Sequence, residues 1–166
     1  MKIFLIGMPG SGKTTLGKRL AREMLMPFVD LDKEIERREG KSVQQLFSES
    51  GEDYFRQVES KELIEWAASP KSFVMATGGG TPCFYDGIKV INQSGLSIFL
   101  DVPLNTLLSR LERKTDRPLL NAADVEEKKA RLSSLLASRT QYYQQANITV
   151  KNADLSKVMG AIRLRK

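Results

Sequence analysis

The sequence predicts an α/β fold of three layers, α/β/α, built around a five-stranded parallel sheet. Three observations carry that expectation. Ile3-Phe4-Leu5-Ile6, Phe73-Val74-Met75-Ala76, Ile98-Phe99-Leu100 and Ile148-Thr149-Val150 are near-continuous apolar blocks, as strands covered on both faces are. Pro27 to Asp30 supplies a weaker fifth strand. Between the blocks run helical patterns: Leu16, Leu20 and Met24 recur at spacing four, and Leu132, Leu135 and Leu136 form a second stripe. Lastly, the first block runs straight into a glycine-rich turn that opens a helix. Strands alternating with helices pair in parallel, with helices on both faces of the sheet. Ligands of such sheets bind beyond the carboxyl ends of the strands. That rule singles out Gly7, Asp30, Thr77 and Asp101.

Composition narrows the chemistry. A chain of 166 residues fits one domain, residues 1–166, at the usual ~150 residues per domain. Cys83 is the single cysteine and there is no histidine. An internal disulfide, a Cys-based zinc site and every histidine-dependent hydrolase are thereby excluded. Catalysis must come from carboxylates, Lys, Arg, hydroxyls and backbone amides. No apolar run is long enough to span a membrane, and the short apolar N-terminus is no signal peptide, so a cytoplasmic protein without a membrane partner is expected. The formal net charge of +6 fits anionic ligands.

Gly7-Met8-Pro9-Gly10-Ser11-Gly12-Lys13-Thr14 matches the phosphate-binding pattern G-x-x-x-x-G-K-[ST] in full. Glycines let successive amides point at phosphate oxygens, and the following helix adds its positive end. The segment Gly10, Ser11, Gly12, Lys13, Thr14 and Thr15 is thus expected to hold a nucleoside triphosphate. Lys13 would reach the β- and γ-phosphates and the Thr14 hydroxyl would ligate magnesium. A dinucleotide loop would need a third glycine where Thr15 stands, so that reading fails.

Asp30-Leu31-Asp32 follows the second strand. Alternation along an extended segment would turn both carboxylates to one side, one toward magnesium or the reacting hydroxyl and one toward substrate hydroxyls. Asp32 as a simple helix cap is the plainer alternative. The segment 32–68 is expected to be mostly helical, broken near Gly40 and Gly51. Thr77-Gly78-Gly79-Gly80 follows the third strand and leaves amides open to an anion, or merely turns the chain. Arg139 falls on the apolar stripe of Leu132 and Leu136, and Arg56 shares a face with Leu63. An inward guanidinium requires an anion, and a ligand carboxylate suits its planar fork. For Arg56 an internal pair with Glu59 is the alternative. Residues 114–123 form a polar stretch around Arg117-Pro118, expected to act as a lid that brings Arg117 to transferring phosphate, with Arg110 just before it. Trp66, Tyr142 and Tyr143 read as packing residues.

Taken in order, these motifs resemble the shikimate kinase family. The likeness runs from Gly7 to about Ala146 and includes Asp30-x-Asp32-x-x-Ile35-Glu36, Gly51-Glu52-x-x-Phe55-Arg56-x-x-Glu59, Thr77-Gly78-Gly79-Gly80, Arg117-Pro118-Leu119-Leu120 and Arg139-x-x-Tyr142. The resemblance implies a nucleoside monophosphate kinase-like P-loop fold with a lid, and transfer of the γ-phosphate of ATP to the 3-hydroxyl of shikimate. It implies that Asp32, Arg56, Gly79 and Arg139, with the flanking Gly78 and Gly80, hold shikimate. It further places Lys13, Asp30 and Arg117 in catalysis, Arg110 and Arg117 on ATP, and Mg²⁺ near Thr14 and Asp30. The expected partners are small molecules only, with no nucleic acid, and the chain is expected to be a monomer. Two departures stand out. Thr140-Gln141 occupy the place of a frequent family proline, and no arginine stands at Lys151-Asn152-Ala153. The alternatives are another small-molecule kinase of this fold, for gluconate or a nucleoside monophosphate, or a non-catalytic nucleotide-dependent binding protein.

Overall fold

The computed structural model describes residues 1–114 and 122–165. Strand β1 (Lys2–Ile6) lies at the centre of a five-stranded sheet in the order β2-β3-β1-β4-β5, with β2 (Phe28–Asp30), β3 (Phe73–Ala76), β4 (Leu96–Asp101) and β5 (Ile148–Lys151). Every pairing is parallel, as the continuous apolar blocks require.

The pleat explains the three layers, because successive side chains point to opposite faces. Ile3 and Leu5 of β1 meet Leu16 and Leu20 of helix α1 (Lys13–Glu23) and Val158 and Ile162 of helix α7 (Leu155–Arg163). Phe4 and Ile6 face the other way. Their layer holds α2 (Leu31–Glu39), α3 (Val43–Ala68), α4 (Gly87–Ser94), α5 (Leu104–Lys114) and α6 (Ala122–Tyr143). It is packed through Ile35, Leu46, Leu63, Ile91, Leu107 and Leu132.

Both expected breaks in the segment 32–68 occur. Gly40 closes α2 in the left-handed region at φ 68°. Gly51 interrupts α3 at φ 84° and ψ 168°, a conformation that a side chain would strain. Ser42 and Gln45 cap α3 reciprocally. The kink re-aims α3 so that Arg56, Glu59 and Leu63 are buried together.

Two local expectations are corrected. Asp30, not Asp32, caps α2, accepting from the Lys33 N–H at 3.4 Å, because the helix begins at Leu31. Leu135 is 41% exposed. The inward face of α6 runs through Leu132, Leu136, Arg139 and Tyr143, and Leu135 sits about 70° off its centre at 3.6 residues per turn. Trp66 packs edge-on against Phe73 and Tyr143 stacks on Phe99, as packing residues do. Residues 115–121, and with them Arg117 and most of the expected lid, lie outside the described residues.

A short 3₁₀ turn, Thr81–Cys83, connects the glycines after β3 to α4. A Cβ on Gly87 would collide with the Thr81 carbonyl oxygen. Gly87→Ala should therefore destabilise the protein by about 2–3 kcal/mol, because two backbone segments must part. Thermal denaturation checks this, with a loss of roughly 5–10 °C expected for a chain of this size.

Candidate active site

The turn between β1 and α1 follows from its glycines: Gly7, Gly10 and Gly12 adopt φ of 144°, 81° and 94°, where side chains are strained. Ser11 N–H donates to the Met8 carbonyl at 3.1 Å, closing the loop. Lys13 Nζ donates to the carbonyls of Gly7 at 2.8 Å and Met8 at 2.9 Å, so the ammonium bends back over the loop mouth. This is where phosphate oxygens meet such a loop. Arg110 Nη1 donates to the Gly10 carbonyl at 3.1 Å, fixing α5 against the same loop.

The loop forms one wall of a cleft of about 750 Å³. Gly10, Gly12, Lys13, Thr14, Thr15 and Arg110 line one side, and Asp30, Asp32, Gly78 and Gly79 line another. Ser11 is buried beneath the loop. Sequence reasoning missed Arg19, Arg113, Ala153 and Asp154, which also line the cleft. They come from α1, α5 and the β5–α7 turn, so only the tertiary fold unites them.

Beyond Gly79 the site continues into a cluster of charges packed against bare backbone. A Cβ on Gly78 would stand 2.7 Å from Glu59 Oε1 and 3.3 Å from Asp32 Oδ1. On Gly79 it would stand 2.9 Å from both Arg139 Nη1 and Pro9 Cδ, and on Gly80, 2.5 Å from both Arg56 terminal nitrogens. Any side chain there would displace a charged group or the phosphate loop. The three glycines are thus required for close approach.

The two arginines differ in their surroundings. Arg56 is 6% exposed. Its Nη1 donates to Glu59 Oε2 at 2.7 Å, and its Nε and Nη2 each approach Glu52 Oε1 at 3.3 Å. Phe84 lies 4.3 Å from the guanidinium carbon, measured to the ring centre, a favourable cation–π contact. The internal pair that the sequence left open is therefore present. Glu59 also accepts from the Thr81 hydroxyl at 2.6 Å. Two of the five Arg56 donors remain beyond those acid contacts. Arg139, half-buried on α6, forms no ion pair with a carboxylate among the described residues.

The carboxylates of Asp30 and Asp32 are likewise unequal. Asp30 accepts from the Lys33 N–H and from the Thr14 hydroxyl, the latter at 3.2 Å. Asp32 is pushed up from 3.8 to about 6, first by burial and then by the charges of Glu59 and Asp30, with Lys13 opposing them. Cys83, beside Arg139 and Arg56, is pushed up to about 11 by burial, so its thiol stays protonated and poorly nucleophilic.

The glycine turn with Lys13 bent over its mouth lines the cleft, and Arg139 and Arg56, which do not line it, meet the adjoining Gly79 and Gly80 from beyond. A phosphate loop beside such a cationic corner is what a nucleoside-triphosphate phosphotransferase needs. Fold and site together define that class. A family model described as shikimate kinase matches residues 9–163, and the chain belongs to this family of ATP-dependent kinases. A shikimate kinase of Phocaeicola vulgatus is 47% identical over 155 residues, covering 93% of this chain and 88% of the relative. One of Persephonella marina is 36% identical over 97% of this chain and 98% of its own length. The crystal structure of the Bacteroides thetaiotaomicron shikimate kinase superposes with a TM-score of 0.85 at 38% identity, covering 99% of this chain and 96% of that one. The Acinetobacter baumannii shikimate kinase in complex with shikimate superposes with a TM-score of 0.82 at 32% identity, covering 99% and 90%.

Ionised Asp32 burdens the folded state. Its folded value near 6 exceeds its ordinary 3.8, so the folded protein loses stability as pH rises through that window and nothing below it. Asp32→Asn should therefore raise stability by about 1–3 kcal/mol at pH 8 and leave it unchanged at about pH 3, below that window. Thermal melts of both proteins at the two pH values check this.

Proposed function

We propose that the chain transfers the γ-phosphoryl group of ATP to the 3-hydroxyl of shikimate, with the residues of this cleft in the following roles. Family membership supports the reaction. The observation that carries the residue assignment is the meeting at Gly79, where Arg139 Nη1 and Pro9 of the phosphate loop would each lie 2.9 Å from a Cβ. A carboxylate gripped by Arg139 would thus put its ring within reach of a triphosphate on the loop.

Arg139 is the stronger anchor, because no carboxylate of the described chain competes for it. Arg56 offers its two remaining donors, and the half-exposed Glu52 is the weaker of its two acid partners. Gly78, Gly79 and Gly80 keep the backbone clear of the ligand. Asp32 accepts a substrate hydroxyl. Its raised proton affinity makes it the better group to take that proton as the oxygen attacks, although the sequence placed Asp30 near the reacting hydroxyl. The new O–P bond forms as the bond from the γ-phosphorus to the β–γ bridging oxygen breaks, and ADP leaves with that oxygen. Lys13 and the backbone amides of the loop, with Arg110 beside them, balance the charge spread over the phosphoryl oxygens. Arg117 is assigned to the same task.

Thr14 and Asp30 suit magnesium. Both offer hard oxygen donors, 3.2 Å apart, at the phosphate end of the cleft. No cluster of three acidic or thiol/imidazole ligands exists among the described residues, which fits an ion held mainly by nucleotide oxygens and water. When bound, the ion neutralises phosphate charge. The partners are small molecules. No helix among the described residues is long and apolar enough to cross a membrane.

A coupled ADP-release assay should show turnover that depends on shikimate, and not on gluconate or a nucleoside monophosphate. Lys13→Ala should cut kcat by about 10²–10³. Arg139→Ala should raise the KM for shikimate by at least about tenfold, equivalent to a lost charge-assisted hydrogen bond, with the KM for ATP changed less than about threefold.

A further inference from the structure

One buried hydroxyl joins the elements of the cleft without lining it. Tyr143 ends α6, one turn beyond Arg139, and its side chain is 0% exposed. Its ring stacks on Phe99 of β4 at 5.0 Å between centres and 26° between planes. Packing alone would be served as well by phenylalanine. The hydroxyl, however, donates to the Gly79 carbonyl at 2.6 Å and lies 3.6 Å from Met8 Sδ. The Arg139 guanidinium meets the same glycine, its Nη1 standing 2.9 Å from where a Cβ on Gly79 would lie, and its charge opposes the upward push of burial on the Tyr143 proton affinity.

We propose that Tyr143 is a positioning residue for the organic-acid end of the site: its hydroxyl holds the Gly79 peptide and the Arg139 guanidinium in fixed register. Arg139 and Gly79 come from different elements, one from α6 and one from the turn after β3. Close approach at Gly79 makes their relative placement sensitive to tenths of an ångström. An arginine side chain has several rotatable bonds and loses much freedom when it grips a ligand. Fixing the surface against which that side chain lies, before binding, removes part of that loss. The Gly79 carbonyl in turn sets the plane of its peptide, and so the direction of the following N–H. The Met8 contact brings the phosphate loop against the same ring.

The inference rests on the assignment of Arg139 and Gly79 to shikimate, and the experiment separates the two. Wild type is first assayed for shikimate-dependent ADP release; absence of that signal defeats the assignment itself. Given wild-type turnover, Tyr143→Phe is compared with Phe99→Leu, which loosens the same packing but leaves the hydroxyl. Tyr143→Phe should raise the KM for shikimate about three- to tenfold, the range for one neutral hydrogen bond. Its kcat and KM for ATP should stay within about twofold. Phe99→Leu should lower the melting temperature with less than a twofold change in the KM for shikimate. An unchanged KM in Tyr143→Phe overturns the proposal, as does an equal rise in both variants. Failure of Tyr143→Phe to fold where Phe99→Leu folds also overturns it, the hydroxyl then serving the core.

Discussion

Close approach of charge to bare backbone is the constraint on which the rest of this site depends. After β3 the chain offers three residues without side chains, and each is met by a charged group of another element: Gly78 by Glu59 and Asp32, Gly79 by Arg139, Gly80 by Arg56. The phosphate loop reaches the same turn through Pro9. The parallel sheet makes this convergence possible, because β1, β2 and β3 end side by side and deliver the phosphate loop, the aspartates and the glycines to one edge.

Burial then divides the labour among similar residues. Arg56 and Glu59 are almost wholly enclosed and neutralise each other, so the pair stiffens the wall and adds little net field. Removing Arg56 would leave Glu59 a buried charge facing only the Thr81 hydroxyl, which is the costly case, whereas Arg56 without Glu59 would still meet Glu52. Arg139 forms no ion pair with a described carboxylate, and it is the guanidinium we assign to the anion. Among the acids the same logic holds. Asp30, which accepts from two donors, is the one we assign to the metal, whereas Asp32, crowded by Glu59 and Asp30, has the raised proton affinity that the proposed transfer would use. The instability that Asp32 imposes on the folded protein is the other side of that readiness.

Local pattern made most of the fold legible. Continuous apolar blocks gave the strands to within two residues at either end, and Gly40 and Gly51 marked the two breaks between β2 and β3. The phosphate loop was readable because its chemistry depends on contiguous residues. The sequence also showed Arg56 and Arg139 facing inward, since helical spacing fixes a face. What it left open was the partner of each, because partners come from other elements: spacing allowed Glu59 for Arg56, but not the roles of Thr81 or Phe84. Arg19, Arg113 and Asp154 reach the cleft only through the packing of α1, α5 and α7. Tyr143 looked like any core aromatic, since a hydroxyl's partner leaves no periodic trace. Asp30 and Asp32 shared one motif, and only the helix start at Leu31 revealed which of them is the cap.

Complementarity between the cationic corner at Gly79 and the carboxylate of a small acid is the central claim. Calorimetric titration of the protein with shikimate and with its uncharged methyl ester tests it most directly, since the two ligands share every hydroxyl. Shikimate should bind at least about fiftyfold more tightly than the ester, the loss expected when a guanidinium is left facing a neutral group, with the difference shrinking in Arg139→Ala. Equal affinity for the acid and the ester would contradict the account and leave the glycine turn without its assigned ligand.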